Sequence, residues 1–383
     1  VQRNWHFRRR FVAVRGPTDV TAPTLSLPID LPLSDTTAYL GVTTNEGAGT
    51  LYWVVTTSAT PPSAAQVKAG QNDGGTAAAA SGNQAVIATG AQVATATGLS
   101  SNTAYYAYFM QEDAVGNQST VSAAGGFTTL TTGTSDTSFD DLIAAMSVAP
   151  TDLRKGYIAQ MIQALYASGT WAKTDVLWVQ AAHDEQAGRL NWKSPGTFTL
   201  TTVNSPTFTT DRGFAGNNSS SYLQTGWDPG TNGVQITRDN AHIMSYGSGG
   251  GNTIPGFSID ASSGNNLAVQ NRRTANQDFA KVNSSTAVTI VAAGSGGATQ
   301  MVMGRRSVST DSETWRDGTL QAGPSAAASS ALSTTDMVFG KNAASYTSAR
   351  VGAASVGAYL DNTEALAFYN AFYTYMVAVG ADT

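Results

Sequence analysis

The chain has no cysteine, which excludes disulfides, thiolate metal sites and cysteine nucleophiles. The fold must therefore hold by core packing alone. Histidines number three, His6, His183 and His242, and share no local motif. Neither a zinc signature nor a Ser-His-Asp constellation is present. Charged residues are scarce, 12% of the chain, against roughly 25% in an average soluble protein. A net charge of −5 argues against bulk nucleic-acid binding, which favours basic chains. No run approaches the ~18 consecutive apolar residues of a membrane span. The glycine run Ser248-Gly249-Gly250-Gly251 lacks the Lys-Ser/Thr pair and following helix of a phosphate-binding loop. Arginines occupy the place of an apolar leader in VQRNWHFRRRFVAVRG, so no signal peptide is expected there.

What is present points to β structure. Small residues (Ala, Gly, Ser, Thr) fill the space left by charge, and short apolar runs alternate with Gly and Asn turns. A length of 383 residues suits two or three domains at about 100–200 residues each. The organising stretch is 198–227, FTLTTVNSPTFTTDRGFAGNNSSSYLQTGW. It alternates apolar and small polar residues, breaks at Asp211-Arg212-Gly213, turns at Gly216-Asn217-Asn218 and re-enters at Tyr222-Leu223. That pattern predicts consecutive antiparallel strands.

Residues 1–16 form a basic and aromatic arm. Trp5, Phe7 and Phe11 interleave with Arg8, Arg9 and Arg10, so arginines can pair with acidic surface while rings fill pockets on a partner. The arm is read as an anchoring segment; an edge strand with a solvated tail, or nucleic-acid contact, are its alternatives. Residues 17–129 carry about seven short strands around a central Trp53, with the aromatic strand 104–110 and turns at Asn45-Glu46-Gly47 and Asp113-Ala114-Val115-Gly116-Asn117. The segment 64–70 is expected to cross between sheets. A Thr/Ser/Gly linker, 130–138, marks a boundary.

Residues 139–182 are read as a helical collar. Thr151 is a predicted N-cap with Asp152 in the first turn, and Leu153, Tyr157, Ile158, Met161, Ile162 and Leu165 recur at helical spacing up to Gly169. Gly156 weakens that helix slightly. Residues 183–383 read as a sandwich of short strands, with Asp317-Gly318 as a two-residue hairpin turn. A last helix follows, with Asp361 and Glu364 as a capping box and Gly380 as its stop. Ser325 to Ser330 is expected to be a loop.

Three resemblances follow from these residues. "R-G-F-x-G-N-x-S-S-Y-L-x-T-G" resembles the early strands of concanavalin A-like (laminin G-like) jelly rolls. "T-A-P-T", Trp53, "G-L-x-x-N-T-x-Y-Y", "D-A-V-G-N-x-S" and the terminal "F-T-T" resemble fibronectin type III modules, with Tyr105 or Tyr106 at the tyrosine-corner position. The runs at 51–57, 174–178, 181–184, 189–193 and 205–208 resemble bacteriophage fibre, spike or decoration proteins. The expected architecture is mainly β: a fibronectin type III/immunoglobulin-like sandwich, a helical collar, then a concanavalin A-like jelly roll with a C-terminal helix. The resemblance implies a virion location, a homo-oligomer, contacts to other virion proteins through the arm, and adhesion of the lectin-like domain to host-surface polysaccharide, with no nucleic acid and no membrane insertion.

Sugar binding asks for aromatic platforms beside planar polar groups. Trp227, Asp228, Tyr246, Arg272 and Trp315 are the candidates, with Tyr346, Asn240 and Arg273 in support. No cofactor is expected. A calcium ion on a loop carboxylate is common in lectin-like folds, and Asp228 and Asp239-Asn240 are the candidates for it, although no EF-hand pattern exists. No catalytic residue is assigned, since no Glu-x-Asp-x-(x)-Glu run occurs and the closest spacing, Asp311-Ser312-Glu313, reads as a solvated strand end. A polysaccharide-degrading hydrolase and a purely structural particle protein are the alternatives.

Overall fold

The computed structural model describes residues 19–130, 135–248, 257–259, 267–273, 277–290, 299–342 and 345–381. The anchoring residues Trp5, Phe7, Arg8, Arg9, Arg10 and Phe11 lie outside them. The chain divides into two compact units. One comprises Val1–Asp30, Leu40–Gly98 and Ala104–Phe127; the other comprises Leu31–Tyr39, Leu99–Thr103 and Thr128–Thr383.

The first unit is a sandwich of short antiparallel strands. They are β1 (Leu25–Pro32), β2 (Ala38–Thr44), β3 (Thr50–Thr56), β4 (Ala80–Ala85), β5 (Gly90–Ala96), β6 (Ala104–Glu112), β7 (Ser122–Ala123) and β8 (Phe127–Thr128). One sheet has the order β1-β2-β5, the other β4-β3-β6-β7, with β8 pairing β6. This two-sheet arrangement is the immunoglobulin-like one expected from the strand count. Trp53 lies over Gly82 on the neighbouring strand, where any Cβ would collide with its ring. The expected crossing at 64–70 is a short helix, α1 (Ala64–Lys68), with Ser63 and Gln66 forming a capping box. Among the tyrosines of β6, Tyr108 donates its hydroxyl to the Ser58 carbonyl at 3.1 Å.

The second unit has two large sheets. In spatial order the first holds β10 (Thr201–Val203), β13 (Tyr222–Gln224), β22 (Met337–Phe339), β15 (Phe257–Ile259), β16 (Ala268–Arg273), β17 (Gln277–Lys281) and β18 (Val288–Ile290). The other holds β11 (Thr207–Thr209), β12 (Gly213–Ala215), β25 (Arg350–Gly357), β14 (Ala241–Ser248), β19 (Gln300–Arg306), β20 (Asp311–Arg316) and β21 (Thr319–Ala326). A further strand, β9 (Thr174–Val179), continues past β12 along the same edge of β25. A small hairpin, β23 (Lys341–Asn342) with β24 (Ser345–Tyr346), completes the set. The helices are α2 (Ser135–Ala145), α3 (Asp152–Ala167) and α4 (Asn362–Ala378).

One core lies between the sheets and a second lies between the larger sheet and the helices. In β9, Val176 and Trp178 enter the first and Leu177 and Val179 the second. In β19, Val302 faces the first while Met301 and Met303 face the second. Successive strand residues point to opposite faces, so a sheet covered on both sides needs apolar residues at both parities. Residues 174–179 are a sheet strand, and α2 and α3 share a core with that sheet and α4. β21 likewise runs to Ala326, into the stretch expected to be a loop. The predicted N-caps hold: Thr151 accepts from the Arg154 amide, and Asp361 and Glu364 form a capping box. The Asp317-Gly318 turn has φ of 46° and 74°, as a two-residue hairpin turn requires. Gly156 is in α3 for space, since a Cβ there would lie 2.8 Å from the Leu31 side chain.

Two polar features inside the units set testable stabilities. In the second unit, Asp278 is fully buried and accepts from Arg316 Nε and Gln300 Nε2, both at 2.7 Å. Asp278→Ala leaves the Arg316 cation without its partner and is expected to cost about 3–5 kcal/mol in chemical denaturation. An Asp278→Ala protein as stable as the parent would show the pair to be dispensable.

One buried group in each unit responds to acid, and the two respond in opposite directions. His242 is buried, with Nδ1 donating to the Ala358 carbonyl at 2.6 Å and Nε2 facing Ser355 Oγ at 3.1 Å, and burial lowers its pKa to about 4. Between about pH 6.5 and 4 the unfolded chain therefore binds the proton first, and the second unit loses stability as pH falls. Asp30 in the first unit has its pKa raised to about 6 by burial, against opposing hydrogen bonds from the Ala107 and Gly126 amides. Here the folded state binds the proton first, so the Asp30 contribution to stability grows as pH falls from about 6 to 4. Each contribution is at most roughly 3 kcal/mol. Hydrogen exchange of the whole chain at pH 7 and pH 4.5, corrected for intrinsic rates, should show weaker protection in β14 and β25 and stronger protection in β6 in acid. A uniform change in both units would refute the assignment.

Candidate functional site

Three aromatic rings expected to stack on sugar are core residues instead. Trp227 and Tyr246 are each 1% exposed and Trp315 is 6% exposed. Trp227 packs between the two sheets; Tyr246 and Trp315 pack beneath the helices. None presents an open ring face, so the platform reading does not carry over to them. Asp228 is buried too, and its carboxylate caps a turn by accepting from the Thr231 amide at 2.7 Å. Arg272 falls in β16, and its side chain lies outside the described residues. Asn240 accepts from the Tyr359 amide at 2.7 Å, a structural bond. Among the described side chains, these candidates are therefore not gathered into one surface.

Tyr346 does reach the surface, beside a residue that sequence reasoning treated only as strand. Tyr222 and Tyr346 are half-buried, with ring centroids 6.3 Å apart and planes at 43°. Lys341 Nζ sits 4.7 Å from the Tyr222 ring centre. Strand parity explains the placement. Leu223 enters the core between the sheets, so Tyr222 points outward from the same strand. The loop before it is locked by Asn217, whose Oδ1 accepts from the amides of Ser219, Ser220 and Ser221 at 2.8–3.0 Å. Gly216 lies against the Thr347 carbonyl and Gly213 against the Val351 carbonyl, each too close to admit a Cβ. These glycines of the organising stretch seat it against the segment that carries Tyr346. The available signal was the period-two pattern itself, since one apolar partner facing inward sends its neighbour outward.

A second site lies at the far end of β19 and β20. Arg305 and Glu313 are cross-strand neighbours there. Arg305 is fully buried and donates from Nη2 to Glu313 Oε2 at 2.5 Å and to Asn362 Oδ1 at 2.9 Å, and from Nη1 to the Leu360 carbonyl at 2.6 Å. Its guanidinium lies 3.9 Å from the Trp315 ring centre and 5.0 Å from that of Tyr359. Trp315 Nε1 also donates to Glu313 Oε2 at 3.0 Å. Glu313, expected to be solvated, is thus tied into a stack that fastens the start of α4 to the sheet.

Asp228, an expected calcium ligand, accepts from the Thr231 amide, and among the described residues a group of three carboxylates within 4.8 Å of one another occurs elsewhere, at Asp19, Glu46 and Asp113. Asp113 there accepts from the Val115, Gly116 and Asn117 amides and from Asn117 Nδ2, which makes it a turn cap. His183 contacts the Val148 carbonyl and Asp184, and His242 is enclosed as described, so the two do not converge.

No family model matches the chain, and no curated protein matches it. Among solved structures it is similar to domain 4 of AbnA, a GH43 extracellular arabinanase from Geobacillus stearothermophilus solved with arabinotriose, at 11% identity over 51% of this chain and 97% of that one, with a TM-score of 0.36. It is similar to the binding domain of botulinum neurotoxin serotype D at 9% identity, over 53% of this chain and 52% of that one, with a TM-score of 0.37. It is similar to Trypanosoma rangeli sialidase at 8% identity, over 73% of this chain and 46% of that one, with a TM-score of 0.36. The matches thus span about half of the toxin and sialidase chains. Likeness at this level assigns no function.

Proposed function

We propose that the chain is a structural protein of a bacteriophage particle, a fibre, spike or decoration protein, that adheres to host-surface glycan through its second unit. The arm at 1–16 docks on other virion proteins, and the assembled protein is a homo-oligomer. Support for the particle assignment comes from the sequence runs described above and from a chain built of two β-sandwiches with little surface charge. The adhesive part of the reading rests on one observation, the half-buried pair Tyr222 and Tyr346 with Lys341 beside it. Rings of this kind supply a large apolar face at small entropic cost, with hydroxyl and ammonium groups at the rim to bond sugar hydroxyls. Scattered, unpaired rings would be ordinary surface; two adjoining rings with a cation are a platform.

A glycan array and host-polysaccharide precipitation assay test the reading. The parent chain is expected to bind a subset of glycans, and Tyr222→Ala and Tyr346→Ala each to weaken binding by about tenfold, on the order of 1.4 kcal/mol, with the unfolding midpoint unchanged. Absence of any glycan binding would leave a purely structural particle protein. Release of reducing sugar from the same polysaccharides would make it a hydrolase.

A further inference from the structure

We propose that the face formed by α3 and α4 is an isologous interface, on which a second copy of the chain lays its own α4 antiparallel to the first. The pairing rests on the homo-oligomer of the functional reading and uses none of its glycan-binding residues. Its basis is a helix that is apolar on two sides. Phe368, Phe372 and Met376 of α4 are buried in the core beneath it. Leu366, Tyr373 and Val377 are 47%, 42% and 51% exposed. They stand at i, i+7 and i+11, on one line along the crest of the helix, and the exposed Asn370 lies on the same line. A helix that is apolar all round is normally covered all round.

Beside that crest runs a groove of about 540 Å³ between the two helices. Tyr157, Met161 and Ala164 of α3 and Ala367, Asn370 and Thr374 of α4 line it. One face thus carries a ridge and a groove side by side. A two-fold axis closes such a face, because each copy's crest enters the other's groove.

Three observations select a second copy as the occupant. The first is the order of residues on the crest. Leu366, Asn370, Tyr373 and Val377 are separated by steps of four, three and four, the same in either direction. Antiparallel pairing about the midpoint sets Leu366 against the partner's Val377 and Asn370 against the partner's Tyr373. Apolar then meets apolar, and the Asn amide meets a phenol hydroxyl with which it can bond. A lone Asn in such a seam fixes its register. Tyr373 is ordered in advance by stacking on Tyr369, with ring centroids 5.6 Å apart.

The second observation is charge. Beyond its first turn α3 carries none, and α4 carries only Glu364. These end groups pair as Arg154 with Asp211, Lys155 with Asp152 and Lys173 with Glu364. A charge close to a two-fold axis meets its own copy, so an uncharged face suits such an axis, and a charged partner would find no counter-charge on it. The third is area. The 17 residues of α4 span about 25 Å, and two helices side by side are about 20 Å wide. The footprint of about 500 Å² is of the order of the roughly 800 Å² per partner in a stable complex.

Sedimentation velocity of the full chain from about 1 to 200 µM tests the pairing, with circular dichroism as the check on folding. The parent is expected to self-associate with a Kd in the micromolar range. Val377→Glu and Leu366→Lys, both at exposed positions of the single chain, should each weaken association at least tenfold and leave the spectrum unchanged. The double variant Leu366→Lys/Val377→Glu sets an ammonium opposite a carboxylate twice across the axis and should recover most of the loss. The two positions lie about 16 Å apart along one helix, so that recovery cannot arise within a chain. Tyr222→Ala should not alter association. A parent that stays monomeric at 200 µM would leave this face to another protein or to solvent, and would overturn both the interface and the homo-oligomer. Association untouched by either single variant would overturn the interface while the homo-oligomer stands. Loss without recovery in the double variant would overturn the antiparallel pairing.

Discussion

The second unit depends on one constraint: its larger sheet is buried on both faces. One face packs against the other sheet, the opposite face against α2, α3 and α4. Strand geometry then dictates the rest. Each central strand must supply apolar residues at both parities, as β9 does with Val176 to Val179. The helices must be amphipathic enough to lie on a flat apolar surface, and α4 answers with Phe368, Phe372 and Met376 on its covered side. A sheet covered this way has no broad open face left for a ligand. The Tyr222 ring lies on the opposite sheet, beside Tyr346.

The scarcity of charge acquires a meaning from the same constraint. Much of what charge there is in the second unit works inside it. Asp278 binds Arg316 within the sandwich, and Arg305 binds Glu313 under the start of α4. Arg306, 1% exposed, donates to the carbonyls of Val282, Val308 and Ala327. Buried ions of this kind add little net stability, because desolvation offsets most of the attraction, but removing one partner is severe. They hold particular strands and the α4 terminus in one register. Such groups are a source of specificity in a chain without disulfides.

Aromatic residues illustrate how burial reverses a compositional reading. Trp227, Tyr246 and Trp315 have the chemistry of a sugar platform and the location of a core. Tyr222 was unremarkable in sequence, and becomes a candidate because its neighbour Leu223 turns inward. The glycines beside it matter for distance and not for flexibility in general: Gly213 and Gly216 allow the early strands to approach 347–351 more closely than any side chain would permit.

Local interactions made much of the fold legible in the sequence. Helix caps at Thr151 and Asp361, the Asp317-Gly318 turn, and the alternation through 198–227 each depend on residues within a few positions of one another, and each is found as read. Tertiary structure alone decided what those local signals cannot contain. A short apolar run such as 174–179 is the same whether it ends in a collar or in a sheet buried on both faces; only its pairing with β25 settles that. Which aromatics face water depends on which strand faces which layer. The Arg305 stack joins residues 305, 313, 315 and 359–362, which have no sequence pattern in common and meet only because β19, β20 and the chain entering α4 converge. Caps and turns are short-range physics and can be read from neighbours, whereas burial and charge pairing are set by residues far apart in the chain.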